Sequence, residues 1–278
     1  MRRTIWHSKF YKLRFALGLA QPTAGNIHQA RMVPQNGKAN LPQVAETELG
    51  SKAPPVPSPL ESLPSEIRRQ ILSILEIDNL RSLVQASPIY YHQYQLDRRL
   101  LLCQSLEVTL GSVIVEAYAV HKSSSMEVSN QRTAQGIDNF LTFYHPIRSE
   151  AWSSPLHKVL SIEEVTSMAR FYCSIVQPLV GWYVTETLSD LTEKTKGSQV
   201  QETLSRTGKT RLMRAFYRFQ LYCNVYELET GEFISFNRWI SISDSIMNDL
   251  LCIFNPWETE EISCVSYLTE EKFKQITA

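Results

Sequence analysis

Leu60 to Tyr94 reads LESLPSEIRRQILSILEIDNLRSLVQASPIYYHQY, a dense succession of helix signals. It holds three helical patterns in about thirty-five residues, each with its own start signal. Pro64 suits the first turn of a helix, where a missing N–H is no loss. Apolar residues follow at Ile67, Ile71, Leu72 and Leu75, one face of that helix. Asp78 predicts an N-cap for a second helix carrying Leu80, Leu83 and Val84. Ser87 and Pro88 predict a third, with Ile89, Tyr90, Tyr91 and Tyr94. Helices this short are not stable alone. They must pack on each other, on the rest of the chain, or on a partner.

The run from Leu63 through Leu83, L-P-x-E-I-x-x-x-I-L-x-x-L-x-x-x-x-L-x-x-L, resembles an F-box. Its continuation, V-x-A-S-P-x-Y-Y-x-x-Y, resembles the F-box-like proteins of filamentous fungi. Where many F-boxes carry a Trp in the third helix, this sequence has tyrosines. The resemblance implies docking on the Skp-type adaptor of an SCF (Skp–cullin–F-box) ubiquitin ligase, and through it on a cullin. The contact residues it implies are Leu63, Pro64, Ile67, Ile71, Leu72, Leu75, Leu80, Leu83 and Val84. The rest of the chain would then select an unknown protein substrate, without chemistry of its own. The other reading of the same residues is a three-helix unit that is only structural.

The expected fold is mainly α: a tail and linker over 1–59, the three-helix unit over 60–100, and an irregular helical region over 101–278. The chain has 278 residues, 43% apolar and 10% aromatic, enough for a substantial core. Formal net charge is zero, so bulk electrostatics make no case for nucleic acid. Residues 1–45, however, carry seven Lys/Arg and no Asp/Glu. Within them, Ile5, Phe10, Leu13 and Leu17 form a rough helical stripe among arginines and lysines, a pattern similar to a mitochondrial presequence. Import is therefore an alternative to a cytoplasmic or nuclear place. Residues 21–59 are rich in Pro, Gly, Gln and Ala, a composition that predicts a disordered linker. Cys103, Cys173, Cys223, Cys252 and Cys264 are odd in number and lack a C-x-x-C pair, and read as buried thiols in a reducing compartment. No run of eighteen apolar residues predicts a membrane span.

Beyond residue 100 helical signals dominate. Leu96 to His121 is apolar, with a strand at Leu106–Leu110 as the alternative reading. A short helix over Ile137–Tyr144 is expected to end at Pro146. Ser161 and Glu164 form a capping box for a helix carrying Val165, Ala169, Tyr172 and Val176, which should kink or break at Pro178. Thr192–Thr210 reads as a polar loop. Leu212, Phe216, Phe219, Cys223 and Tyr226 make the clearest 3.6-residue stripe in the chain, predicting a buried helix face. Asn255-Pro256-Trp257-Glu258 predicts a further helix start, leading to Val265 and Leu268. The segments Arg214–Asn224 and Phe254–Val265 also resemble the C-terminal part of the fungal F-box-like proteins.

Chemistry-bearing motifs are weak. Gly208-Lys209-Thr210 resembles the end of a P-loop, but Thr203 stands where the first Gly is needed. The six histidines have no metal-ligand spacing, and no cofactor is expected. Glu163-Glu164, Glu260-Glu261 and Glu270-Glu271 read as helix-start acids that favour the helix dipole. Arg211, Arg214 and Arg218 fall on one helix face, predicting a solvated stripe or ion pairs with the acidic C-terminal segment, with a site for an anionic partner as the alternative.

Overall fold

The computed structural model describes residues 58–124, 134–149, 154–195, 204–225 and 250–277. Among them the fold is all-α, with no strand. The basic segment 1–20, residues 21–57 of the expected linker, and Tyr226 lie outside the described residues.

Three short helices open the fold: α1 (Ser65–Ser73), α2 (Ile77–Ala86) and α3 (Pro88–Leu96). Their boundaries correct three details. Pro64 is the N-cap of α1, one position before the first turn, and Leu75 lies just past its end. Glu76, in extended backbone, is the N-cap of α2, and Asp78 falls in its first turn instead. There the Asp78 carboxylate accepts from the Gln177 side chain, which occupies it otherwise than as a cap. The third start is as expected, with Ser87 Oγ accepting from Tyr90 N–H and Pro88 at the first helical position. The lead-in chain is tied to α3 by Tyr90 Oη donating to the Leu60 carbonyl at 3.1 Å and by Ser87 donating to Glu61. Arg68 donates to the carbonyls of Glu61 and Leu63.

Leu72, Leu80 and Tyr90 form a small core with Leu101 of α4 (Arg98–Leu110). Full burial of such side chains stabilises by about 1.5–3 kcal/mol each. Ordering the backbone costs about 1–2 kcal/mol per residue, so four side chains do not hold three helices by themselves. α4 supplies the rest. Leu101 faces the small core, while Leu102, Cys103, Leu106 and Leu110 face the main one. Ile77 of α2 also enters the main core, and its N–H donates to Thr109 Oγ1 at 2.9 Å.

Leu106–Leu110 is thus helix rather than strand. Thr109 settles in it by donating its hydroxyl to the Ser105 carbonyl, one turn back. Gly111 (φ +53°, ψ −125°) then turns the chain through a 3₁₀ segment, Gly111–Val113, into α5 (Ile114–Ser123). The run Arg98–Ser123 is long and apolar enough to cross a membrane, but 61% of its most apolar window is buried within this fold. Core helices of soluble proteins share that profile.

Both interior prolines are absorbed. α6 (Ala134–Ser149) continues through Pro146, because residues beyond it are anchored: Ile147 packs on the core and Arg148 binds the Ile253 carbonyl and Glu258. After the short α7 (Leu156–Val159), α8 (Ile162–Phe171) starts at the capping box expected for Ser161 and Glu164, with bonds of 2.8 and 3.2 Å. At Tyr172–Val176 the helix widens to a π segment, and Gln177 N–H reaches back to the Tyr172 carbonyl. The wider turn accommodates Pro178, so the helix passes into α9 (Gln177–Thr195) without a break. Of the expected loop, Thr192–Thr195 ends α9 and Arg206–Thr210 begins α10 (Arg206–Val225).

α10 is the centre of the main core. From Ala215 to Val225 every residue is buried, not only the predicted stripe, because α5, α9 and α11 (Pro256–Thr277) surround it. Phe216, Phe219 and Cys223 are buried and Leu212 is half-buried. At the start of α11, Glu258 accepts from Asn255 N–H at 2.9 Å; the Asn255 carbonyl, not its side chain, returns the bond. Glu270 and Glu271 lie deep within α11 rather than at its start. Cys103 and Cys223 are buried and Cys173 half-buried, but Cys252 and Cys264 are exposed, contrary to expectation.

Candidate functional site

The nine residues expected at an adaptor contact divide into two sets. Leu72 and Leu80 are buried in the small core, and Leu75, Leu83 and Val84 are half-buried against it. All five hold the unit together, and Leu72 and Leu80 are not available to a partner in this conformation. Pro64 and Ile67 are exposed, and Leu63 and Ile71 are half-buried. Helical spacing explains the division. Leu72 is five residues from Ile67, about 140° around the helix, whereas Ile71 is four residues on and lies beside it.

The exposed set contains a residue that the sequence reading passed over. Ile74 follows Ile67 and Ile71 at i, i+4, i+7 and is 67% exposed, against 43% for Ile67. The same isoleucine spacing was legible in the sequence. Leu72 and Leu75 mask that signal, because with Ile67 and Ile71 they read as one apolar helix face. Leu60 is also exposed, and so are Tyr91 and Leu96 on α3. α1 is tied to the end of α3: Arg69 makes two bonds to Asp97, at 2.7 and 2.9 Å, and Gln93 donates to the same carboxylate at 3.0 Å. α1 therefore presents an aliphatic stripe outward from a fixed backbone.

Among the described residues, Gly208-Lys209-Thr210 forms no phosphate cradle. Gly208 N–H is bound by Ser205 Oγ at 3.1 Å and Lys209 N–H by the Ser205 carbonyl at 2.9 Å, so this is a capped helix start and not a phosphate cradle. Gly208 serves packing, since a Cβ there would meet the Leu204 side chain at 2.8 Å. Among the described residues no His, Cys, Asp and Glu converge as metal ligands. His121 approaches Glu164 at 3.6 Å, and burial pulls its pKa down. Burial pushes the Cys103 and Cys173 thiols up to about 11, which keeps them as thiols at neutral pH.

A second feature is a buried charge cluster in the main core. Arg211 and Arg218 are ion-paired with the C-terminal segment, one of the readings of the stripe, but Arg218 is not on the solvent side. It is 2% exposed and donates to Glu116 of α5 and Glu258 of α11, each at 2.8 Å. Arg148 of α6 binds the other oxygen of Glu258. The guanidinium carbons of Arg148 and Arg218 lie 4.9 and 5.1 Å from the centre of the Phe254 ring. Arg214 reaches Ser112 at 2.7 Å, and Arg211 pairs with Glu261 at 2.6 Å. Four helices thus meet on one polar knot.

Comparison of the chain with protein-family models, with curated proteins and with solved structures finds no match.

Proposed function

We propose that α1–α3 form an F-box-like docking module that binds a Skp-type adaptor through the outer face of α1. The helical C-terminal region would then carry an unidentified protein substrate to the ubiquitin ligase. The observation that supports this reading is the exposed pair Ile67, on α1, and Ile74, its C-cap, with half-buried Ile71 between them, while the opposite face of α1 is committed to the core through Leu72. Covering Ile67 and Ile74 with a partner stabilises by up to about 1.5–3 kcal/mol each. The mechanism is effective concentration: a substrate held beside a charged ubiquitin carrier presents its lysines intramolecularly.

The test is co-precipitation of the full chain with a Skp-type adaptor, wild type beside Ile67→Asp with Ile74→Asp. Both side chains are exposed, so the variant keeps its melting temperature. Loss of adaptor capture supports the reading, and capture at wild-type level rejects it. A second reading rests on the burial of Leu72 and Leu80: the unit serves only to cap α4, and then neither protein captures the adaptor.

A further inference from the structure

The sequence holds three Ser-Pro steps, at Ser58, Ser87 and Ser154, and the fold treats them differently. Ser87 is buried, and its hydroxyl caps α3 and binds Glu61. Ser154 is exposed, but Leu156, two residues on, is fully buried and its N–H donates to Glu107. Ser58 is exposed, and so are Pro59 and Leu60 after it. Its hydroxyl accepts from Glu61 N–H at a long 3.4 Å. Pro-Pro-Val-Pro, Pro54 to Pro57, precedes it. Proline after a serine biases that serine to the extended backbone a kinase cleft accepts, and Pro59 offers no N–H for the cleft to bind. Ser58 also stands at a clasp. Its N–H donates to Glu61 Oε2 at 3.1 Å, and its carbonyl accepts from Glu61 N–H and Ser62 N–H at 2.9 and 3.2 Å. The other Glu61 oxygen accepts from Ser87, the N-cap of α3. Bonds from Ser87 and Ser58 hold the Glu61 carboxyl below the ordinary glutamate value, so it is ionised at neutral pH.

We propose that Ser58 is a phosphorylation site for a proline-directed protein kinase, and that its phosphate unfastens the lead-in chain, residues 58–63, from α3. In the transfer Ser58 Oγ attacks the γ-phosphorus of magnesium ATP. The bond from that phosphorus to the bridging oxygen breaks, ADP leaves, and the hydroxyl proton passes to the kinase's catalytic carboxylate. The product carries a charge of about −1.5 to −2 on the residue that binds the ionised Glu61. Like charges so close repel, and the Glu61 carboxylate is driven from the Ser58 N–H. Arg68 does not answer that charge in place. Its Nη1 donates to the carbonyls of Glu61 and Leu63, and its bare Nε is shielded from solvent. A phosphate that drew Arg68 outward would break those two bonds, which also fasten the lead-in. The site stands whether or not α1 docks an adaptor.

The test treats the full chain with magnesium ATP and a proline-directed kinase and maps the product by mass spectrometry. The expected result is phosphate on Ser58 and none on Ser87, with the Ser58 phosphopeptide absent from Ser58→Ala. An unmodified Ser58, or Ser154 modified ahead of it, overturns the assignment. Amide hydrogen exchange then reads the clasp. In the phosphorylated chain the Glu61 and Ser62 amides should exchange about fivefold faster or more, the factor for losing one ordinary hydrogen bond. Amides inside α10 should keep their rates, and kinase-treated Ser58→Ala should match the untreated variant. Unchanged or slower exchange at Glu61 and Ser62 overturns the unfastening.

Discussion

The Arg218 guanidinium donates to Glu116 Oε1 at 2.8 Å, joining α10 to α5 across 102 positions of sequence. Neither group has more than a trace of solvent exposure. A pair of this kind does not announce a large net stability, because desolvation offsets much of the attraction. What it does create is dependence, since each charge is tolerable only while the other is present. The bond to Glu258 extends that dependence to α11, so the C-terminal helix is held by charge as well as by Ile262 and Val265.

Arg218→Met should therefore destabilise by about 3–5 kcal/mol, the range for removing one partner of a buried pair. Adding Glu116→Leu should return part of the loss, because the stranded carboxylate is gone. Urea unfolding of wild type, single and double variants measures both. A single-variant loss below about 1 kcal/mol would mean that Arg218 reaches solvent.

Acid should loosen the same region. Burial pushes the Glu258 pKa up, but the Asn255 N–H and the Arg218 and Arg148 guanidiniums outweigh it, leaving the group below the ordinary glutamate value. A depressed pKa in the fold means that the ionised form favours folding. That contribution is whole above the unfolded value, ~4.3, and is lost as pH falls through the lower folded value. Glu164 shifts the same way, chiefly through the Ser161 N–H. The melting temperature should fall between neutral pH and about pH 3. Glu258→Gln should flatten part of that fall, and a slope identical to wild type would remove Glu258 from the account.

What could be read in the sequence was whatever local chemistry decides. Ser87-Pro88 and the Ser161–Glu164 box fix their helix starts by short-range bonds, and both starts fall where the residues put them. The all-α class follows from periodicity in the same way. At Pro146 the local argument fails, because anchors beyond it hold the helix together despite the missing N–H, and at Pro178 the chain answers with a π segment rather than a break. At the candidate surface, the spacing identified an apolar helix but not which side of α1 met Leu101. Without that, Leu72 was placed with Ile67, and Ile74 was passed over. Arg218 was legible as charged and helical, yet its partners Glu116 and Glu258 come from elements far away in sequence.

Gly111 offers a test of backbone rather than side chain. Its φ of +53° with ψ of −125° is closed to residues with a Cβ, although a Cβ there would meet nothing within 4 Å. Gly111→Ala should thus destabilise by about 1–3 kcal/mol through strain alone. Gly181, inside α9 and equally uncrowded, is the control. Gly181→Ala should be neutral or stabilising by up to about 1 kcal/mol. Thermal melts of the two variants should move in opposite directions, and a shared direction would discount the strained turn.

Phe216 distinguishes the core from the surface proposed for docking. Its ring is 2% exposed and meets the Tyr183 ring edge-on, with centroids 6.2 Å apart. Removing it loses the burial and leaves a cavity that α5, α9 and α11 cannot collapse into without shifting one another. Phe216→Ala should cost about 3–5 kcal/mol. That is a large share of the ~5–15 kcal/mol that holds a typical domain, so the variant should be partly unfolded at 37 °C. Phe216→Leu, which keeps most of the volume, should cost less. Urea unfolding gives the magnitude, and a loss below about 1 kcal/mol for the alanine variant would mean that the ring is exposed in solution. The same proteins separate stability from docking. Ile67 lies on α1 and Ile74 is its C-cap, and α1 is not among the helices that enclose α10. At a temperature where Phe216→Leu remains folded, it should capture a Skp-type adaptor as wild type does. Reduced capture by a folded Phe216→Leu protein would move the contact away from α1 and onto the main helical region.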